Sequence, residues 1–292
     1  MPAFASLPAV CYRTVTIDGL DIFYREAGSA DAPVVLLLHG FPSSSHMFRD
    51  LIPMLAGQYR VIAPDYPGFG HSAAPGLDAF PYTFAAMTDV IDAFTVAVGA
   101  KDYAIYMQDF GGPVGFRLAV KHPERVRGII VQNAIINVEG WNPDVVAQFA
   151  PFWQNRTAET EAPLRGFLAA ETTKFQYTHG CTRPERLSPD AWRHDQAGLD
   201  RPGNDALQLQ MLWNYQDNVG QYPVFKDYLA AHQPRMLIVS GKTDLFFTQK
   251  GVDYLVAEVP GTEVDLMDAG HFALETHAPE IAARSLTFLA TL

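Results

Sequence analysis

The sequence predicts an α/β fold: a mostly parallel, twisted sheet with helices on both faces and one long helical insertion. Three observations carry this expectation. Apolar runs without polar alternation, such as Val34-Val35-Leu36-Leu37-Leu38 and Tyr103-Ala104-Ile105-Tyr106-Met107, are the pattern of strands covered on both faces. Such runs end in turns rich in Gly, Pro or Asp, with segments of helical periodicity after them. Residues 135–232, in contrast, contain no clear strand and carry many aromatic side chains in helical patterns broken by prolines. The chain therefore divides into a first part of the sheet over 1–134, an insertion over 135–232 and the rest of the sheet over 233–292.

Taken in order, Tyr12–Ile17 and Leu20–Arg25 alternate about Asp18-Gly19, a hairpin signal because a two-residue turn needs positive φ. Pro33–Leu38 is a buried strand ending in His39-Gly40-Phe41-Pro42, and Ser43 to Ser45 cap a helix predicted to run to Ala56. Tyr59–Ala63 is the next strand. Its turn contains Gly68-Phe69-Gly70 but lacks the third glycine of a nucleotide loop. Tyr82–Val98 is an amphipathic helix. The Tyr103–Met107 run then breaks at Gln108-Asp109-Phe110-Gly111-Gly112, where Gly112, Pro113 and the spacing of Val114, Phe116, Leu118 and Ala119 open a helix. Val126–Asn133 is a strand, and beyond the insertion so is Arg235–Ser240, which ends in Gly241-Lys242-Thr243-Asp244. Gln249–Val259 reads as a helix and Thr262–Met267 as a strand, after which Asp268-Ala269-Gly270-His271 precedes a last helix.

Composition narrows the function classes. A hydrophobic content of 48% with 18% charged residues is ordinary for a globular chain. A net charge of -11 and the lack of any Lys/Arg cluster argue against a nucleic-acid surface. Cys11 and Cys181 have no metal-ligand spacing and are expected to be free buried thiols. No metal site or cofactor motif is evident. Neither a leader sequence nor a transmembrane run is visible, so the expected location is cytoplasmic, with no membrane partner.

Three polar residues stand at the carboxyl ends of predicted strands, in the order Asp109, Asp244, His271. Open α/β sheets build their sites there, and converging groups from separate strand ends suit a nucleophile, an acid and a base. With this order in view, His39-Gly40-Phe41-Pro42, Asp65-Tyr66-Pro67-Gly68-Phe69-Gly70-His71-Ser72, Gln108-Asp109-Phe110-Gly111-Gly112, Gly241-Lys242-Thr243-Asp244 and Ala269-Gly270-His271-Phe272 resemble successive motifs of the α/β-hydrolase superfamily. The resemblance covers nearly the whole chain and implies that 135–232 is a cap, or lid.

Serine esterases of that fold carry Gly-x-Ser-x-Gly at the turn after the nucleophile strand, a pattern absent here. Asp109 in its place resembles the epoxide hydrolases and the haloalkane and haloacid dehalogenases. A carboxylate displaces oxygen or halide at an sp³ carbon and leaves an ester on the enzyme. His271 then activates water against that ester, Asp244 orients His271, and the backbone N–H groups of Phe41 and Phe110 form the oxyanion hole. Asp65, His39 and Glu275 are expected to be structural, and Glu139 is a weaker acid candidate than Asp244.

The leaving atom separates the two chemistries. Haloalkane dehalogenases typically place Trp after the nucleophile and Asn after His-Gly, where this chain has Phe110 and Phe41. Fluoroacetate-type enzymes clamp substrate with arginines where Phe110, Gly112 and Pro113 stand. Epoxide hydrolases share His-Gly-Phe-Pro and bring tyrosines from the cap; Tyr215 falls near the second of these, while Phe152-Trp153-Gln154 replaces the first. Trp153 and Tyr215 are thus the candidate substrate-binding residues, with a joint role as halide donors the alternative. The resemblance implies a cofactor-free hydrolase for a small apolar substrate and water, a monomer or homodimer. Epoxide opening leads, dehalogenation follows, and a non-catalytic small-molecule binder of the same fold is the third reading.

Overall fold

The computed structural model describes residues 8–292. Asp18 and Gly19 take the positive φ their turn requires, 48° and 83°, and join β1 (Cys11–Ile17) to β2 (Leu20–Ala27) as an antiparallel hairpin. The apolar runs form β3 (Val34–Leu38), β4 (Arg60–Pro64), β5 (Tyr103–Gln108), β6 (Val126–Gln132), β7 (Met236–Ile238) and β8 (Glu263–Val264). They order as β1-β2-β4-β3-β5-β6-β7-β8, with every pair from β4 onward parallel.

Side-chain direction explains why these strands read as apolar without alternation. Successive residues point to opposite faces, and both faces are covered. In β5, Tyr103, Ile105 and Met107 pack into one core, while Ala104 and Tyr106 pack into the other. The first core is shared with α2 (Phe84–Ala97) and α3 (Gly111–Lys121), and the second with α1 (Leu51–Leu55) and α11 (Ala273–Leu289).

Between β6 and β7 the chain forms α4 (Pro143–Gln154), α5 (Ala158–Arg165), α6 (Ala170–Thr178), α7 (Pro189–Leu199), α8 (Asn204–Asn214) and α9 (Gln216–His232). Apolar residues of α4, α5, α8 and α9 join the first core, so these helices pack on the sheet layer. α10 (Gln249–Glu258) follows β7. Among the described residues, no helix is long and apolar enough to cross a membrane.

Three expectations change. The helix foreseen up to Ala56 is split into a 3-10 turn, Ser45–Phe48, and α1. Pro53 has no N–H for the Arg49 carbonyl four residues earlier, and its ring crowds that carbonyl. The strand foreseen over Thr262–Met267 keeps only Glu263–Val264 in the ladder plus a Gly241–Met267 bridge, because β7, its partner, has just three residues. Cys11 is free but exposed, since β1 is an edge strand whose outer residues face solvent; Cys181 is free and partly buried.

Candidate active site

Asp109 follows β5 and precedes α3, and the turn forces it to φ +49°. A non-glycine residue held there costs about 1–3 kcal/mol, which the surroundings must over-determine. They do so from several sides. The Asp109 N–H donates to the Asn133 carbonyl at 3.1 Å, and the Gly112 N–H donates to the Asp109 carbonyl at 2.9 Å. The Phe41 N–H donates to Asp109 Oδ1 at 2.7 Å. Two glycines let the chains approach this closely. A Cβ on Gly40 would stand 2.3 Å from Asp109 Cβ, and one on Gly111 would stand 2.1 Å from the Leu38 carbonyl oxygen.

The other two strand-end residues converge on the same point. Both Asp244 oxygens lie near His271 Nδ1, at 3.1 and 3.0 Å, and His271 Nε2 lies 3.9 Å from Asp109 Oδ2. Asp244 is held in turn: Asn133 Nδ2 donates to its Oδ2 at 2.7 Å, and the Phe246 N–H donates to its Oδ1 at 2.7 Å. The same Asn133 accepts from the Gly241 N–H at 3.1 Å. An amide at the end of β6 therefore braces the carboxylate at the end of β7. Gln108, whose place before Asp109 gives no hint of a role in the sequence, brings its Nε2 to 2.9 Å from His271 Nε2. With Nδ1–H turned to Asp244, that nitrogen accepts the amide donor, which fits a neutral imidazole.

Burial acts oppositely on the two titrating groups. It raises the Asp109 pKa above 3.8, against the opposing pull of His271 and the Phe41 and Phe110 N–H groups. It depresses His271, but the Asp244 carboxylate and then Asp109 more than offset this and leave the imidazole above 6.5.

Asp109 opens into a cavity of about 30 Å³, walled by Phe41, Phe110, Trp141, Phe149, Trp153, Phe167, Gln176, Tyr215, Phe246 and Phe247 among others. A larger cavity of about 370 Å³ lined by Ser43, His71, His194 and Arg201 contains none of Asp109, Asp244 or His271. Tyr215 joins α8 to α9, with its ring 5.7 Å from Phe110 and 5.3 Å from Phe84. The neighbouring Asn214 Oδ1 accepts from the Phe84 N–H at 2.9 Å, which ties this junction to α2. The Tyr215 hydroxyl is buried and makes no short hydrogen bond among the described residues, with the Tyr222 side chain set against it. Burial, then Tyr222 and Asp109, push its pKa well above 10, so the phenol is a neutral donor.

Trp153 also lines the cavity, but its indole N–H donates to the Leu212 carbonyl at 2.9 Å. The Trp153 donor is thus engaged by the backbone of α8. Trp141, which no sequence motif marks, is a third wall of the same cavity. Its N–H reaches Tyr222 Oη at 3.3 Å.

The residues expected to be structural make the contacts of that role. His39 Nε2 accepts from the Tyr66 N–H at 3.2 Å, its Nδ1 donates to the Gly40 carbonyl at 3.0 Å, and burial lowers its pKa to about 4. Asp65 accepts from the Ser45 and His71 N–H groups at 2.7 and 2.8 Å and so holds two loops together. Glu275 forms a two-point ion pair with Arg49 at 2.9 and 2.6 Å. Glu139 accepts from Asn137 Nδ2 at 3.3 Å. Among the described residues, no group of three or more His, Cys, Asp or Glu side chains is placed to hold a metal ion.

Residues 33–278 match the model of the alpha/beta hydrolase fold family, and the chain belongs to that family. An uncharacterized hydrolase of Saccharomyces cerevisiae is 36% identical over 276 residues, covering 94% of each chain. A haloalkane dehalogenase of Mycobacterium marinum is 35% identical over 283 residues, covering 92% of this chain and 89% of its own. Among solved structures, the epoxide hydrolase CorEH superposes with a TM-score of 0.76 at 21% identity, over 97% of this chain and 99% of its own, a likeness of fold. The chain is a hydrolase of this fold, related in sequence to haloalkane dehalogenases.

Proposed function

We propose that this hydrolase acts through a covalent ester on Asp109 and opens a small epoxide to a vicinal diol. Residues 135–232 serve as its cap. Asp109 Oδ1 rests on the Phe41 N–H, which leaves Oδ2 free to attack carbon. A C–O bond forms, the ring C–O bond breaks, and Tyr215 gives its proton to the departing oxygen. His271 then takes a proton from water, the hydroxide adds to the ester carbon, and Oδ1 becomes an oxyanion facing the Phe41 and Phe110 N–H groups. Collapse returns one water proton to the diol oxygen and the other to Tyr215. Asp244 holds the His271 tautomer and stabilises its cation.

One observation carries the choice of an epoxide. In the cavity beside Asp109, the Trp141 and Trp153 N–H groups are already engaged, whereas the buried Tyr215 hydroxyl makes no short hydrogen bond and has only the Tyr222 side chain against it. An alkoxide leaving group needs a proton, which a phenol supplies and an indole does not. Dehalogenation is the second reading, favoured by the relative from Mycobacterium marinum. A panel of small epoxides and haloalkanes, assayed for diol and for chloride and bromide, tests the order. Diol from at least one epoxide with little halide is expected; rapid halide release without diol reverses the ranking.

The pH dependence follows from His271. Ester hydrolysis needs the neutral imidazole, and Asp244 keeps favouring the cation after Asp109 has been esterified and lost its charge. Decay of a preformed ester should therefore slow as pH falls and His271 takes up a proton. Rapid-quench decay across pH 5 to 9 measures it, and a rate flat through that window removes His271 as the base.

A further inference from the structure

The mechanism above leaves one polar side chain of the cavity without work. Gln176, on α6, is 1% exposed and lines the cavity together with Asp109 and Tyr215. Neither its Nε2 nor its Oε1 has a partner among the described residues. Packed glutamines nearby behave differently. Gln196 donates to the Leu168 carbonyl at 3.0 Å and to Asp200 at 2.7 Å, and accepts from Thr173 at 2.7 Å. Gln208 donates to the Gly68 carbonyl at 3.0 Å, so only its Oε1 is left without a partner among the described residues, whereas Gln176 has neither end engaged. A buried amide with both ends unpaired is costly, and native interiors hold few of them.

Gln176 and Tyr215 reach the cavity from different neighbourhoods. The residue after Gln176, Tyr177, stacks on Phe272 with ring centroids 3.8 Å apart, so α6 enters from the His271 side. Tyr215 packs on Phe110 and Trp141 instead. The rest of the wall is mostly aromatic, and Asp109 is the one charged side chain lining it among the described residues. A substrate carboxylate would meet that charge with no cation beside it, which argues for a neutral substrate. An amide with a free acceptor and free donors is matched by a group that offers both, and a primary carboxamide does so in two parallel hydrogen bonds.

We propose that Gln176 is a specificity-determining residue that pairs with a carboxamide carried beside the reacting carbon, so that the substrates are small neutral epoxy-amides. The proposal rests on Asp109 being the attacking group. The closely set aromatic wall around Asp109 favours small molecules of this kind.

Three epoxides of equal heavy-atom count separate the possibilities: glycidamide, its apolar isostere isopropyloxirane, and glycidate. Wild-type kcat/KM should favour glycidamide over both by roughly 10²-fold, since a site built to hydrogen-bond rejects analogues that leave its groups unpaired. Gln176→Leu should reduce the glycidamide to isopropyloxirane ratio by roughly 10- to 10²-fold. This variant removes an unpaired polar group rather than a bonded one, so folding should survive, as circular dichroism would verify. A ratio near one in the wild type, or a ratio that Gln176→Leu leaves unchanged, overturns the proposal. Binding of unreactive isobutyramide, followed by calorimetry, adds a readout independent of turnover and should be lost in Gln176→Leu. Amide binding that depends on Gln176 in an enzyme that turns over no epoxide would keep Gln176 as the carboxamide-pairing residue while removing the epoxide reading and the epoxy-amide substrates with it. Epoxide turnover without any amide advantage would do the reverse.

Discussion

His271→Gln is expected to halt the reaction at a covalent adduct, visible as an intact-mass increase equal to one substrate molecule on the peptide carrying Asp109. The imidazole is needed in the second step, where it deprotonates water, and alkylation by Asp109 Oδ2 does not use it. The substitution keeps a neutral polar side chain at a site that is 1% exposed and beside Asp244. It removes the base while the Phe41 N–H and the α5-to-α9 helices remain in place. Turnover should fall by roughly 10²-fold or more, the usual contribution of a positioned base. Asp109→Ala should form no adduct with any substrate and lose multiple turnover altogether, because it deletes the attacking atom.

Tyr215→Phe should slow formation of the ester by roughly 10²–10⁴-fold. Its ring contacts with Phe84, Phe110 and Trp141 persist in the variant, so the cavity wall is preserved and only the hydroxyl is lost. Decay of an ester already formed should be nearly unchanged, since that step returns a proton to Tyr215 only after the ester carbon has been attacked. Protein stability should hold or rise slightly, because a buried hydroxyl without a short hydrogen bond costs about 1–3 kcal/mol rather than contributing. Rapid-quench measurement of both half-reactions separates these effects. An unchanged rate of ester formation would return Tyr215 to the packing residues and pass the donor role to Tyr222.

The contrast between what sequence conveyed and what it withheld has a physical origin. Asp109 and Asp244 stood out because each follows an apolar run covered on both faces, which leaves a strong local pattern, and His271 because its Gly-His pair follows a predicted strand. The residues that organise the site leave no such mark. Asn133 closes a predicted strand with nothing in the sequence to mark it, yet it holds both Asp244 and the Gly241 N–H. Gln108 and Gln176 resemble solvent-facing amides until the sheet and the inserted helices bury them. The engagement of the Trp153 N–H by the Leu212 carbonyl links two helices far apart in sequence, and helical periodicity carries no information about it. Boundaries failed for a related reason. The short β8 is limited by its partner β7, and the break before α1 by Pro53, neither of which an apolar count registers.

The covalent ester is the central claim, and a single turnover in ¹⁸O-water tests it most directly. If Asp109 Oδ2 attacks carbon, that oxygen leaves in the diol and its replacement comes from water. The account predicts label in the carboxylate of the Asp109 peptide and an unlabelled first product. Label in the product with an unchanged Asp109 peptide would mean that water attacks carbon directly and that Asp109 serves only as a base, which contradicts the account.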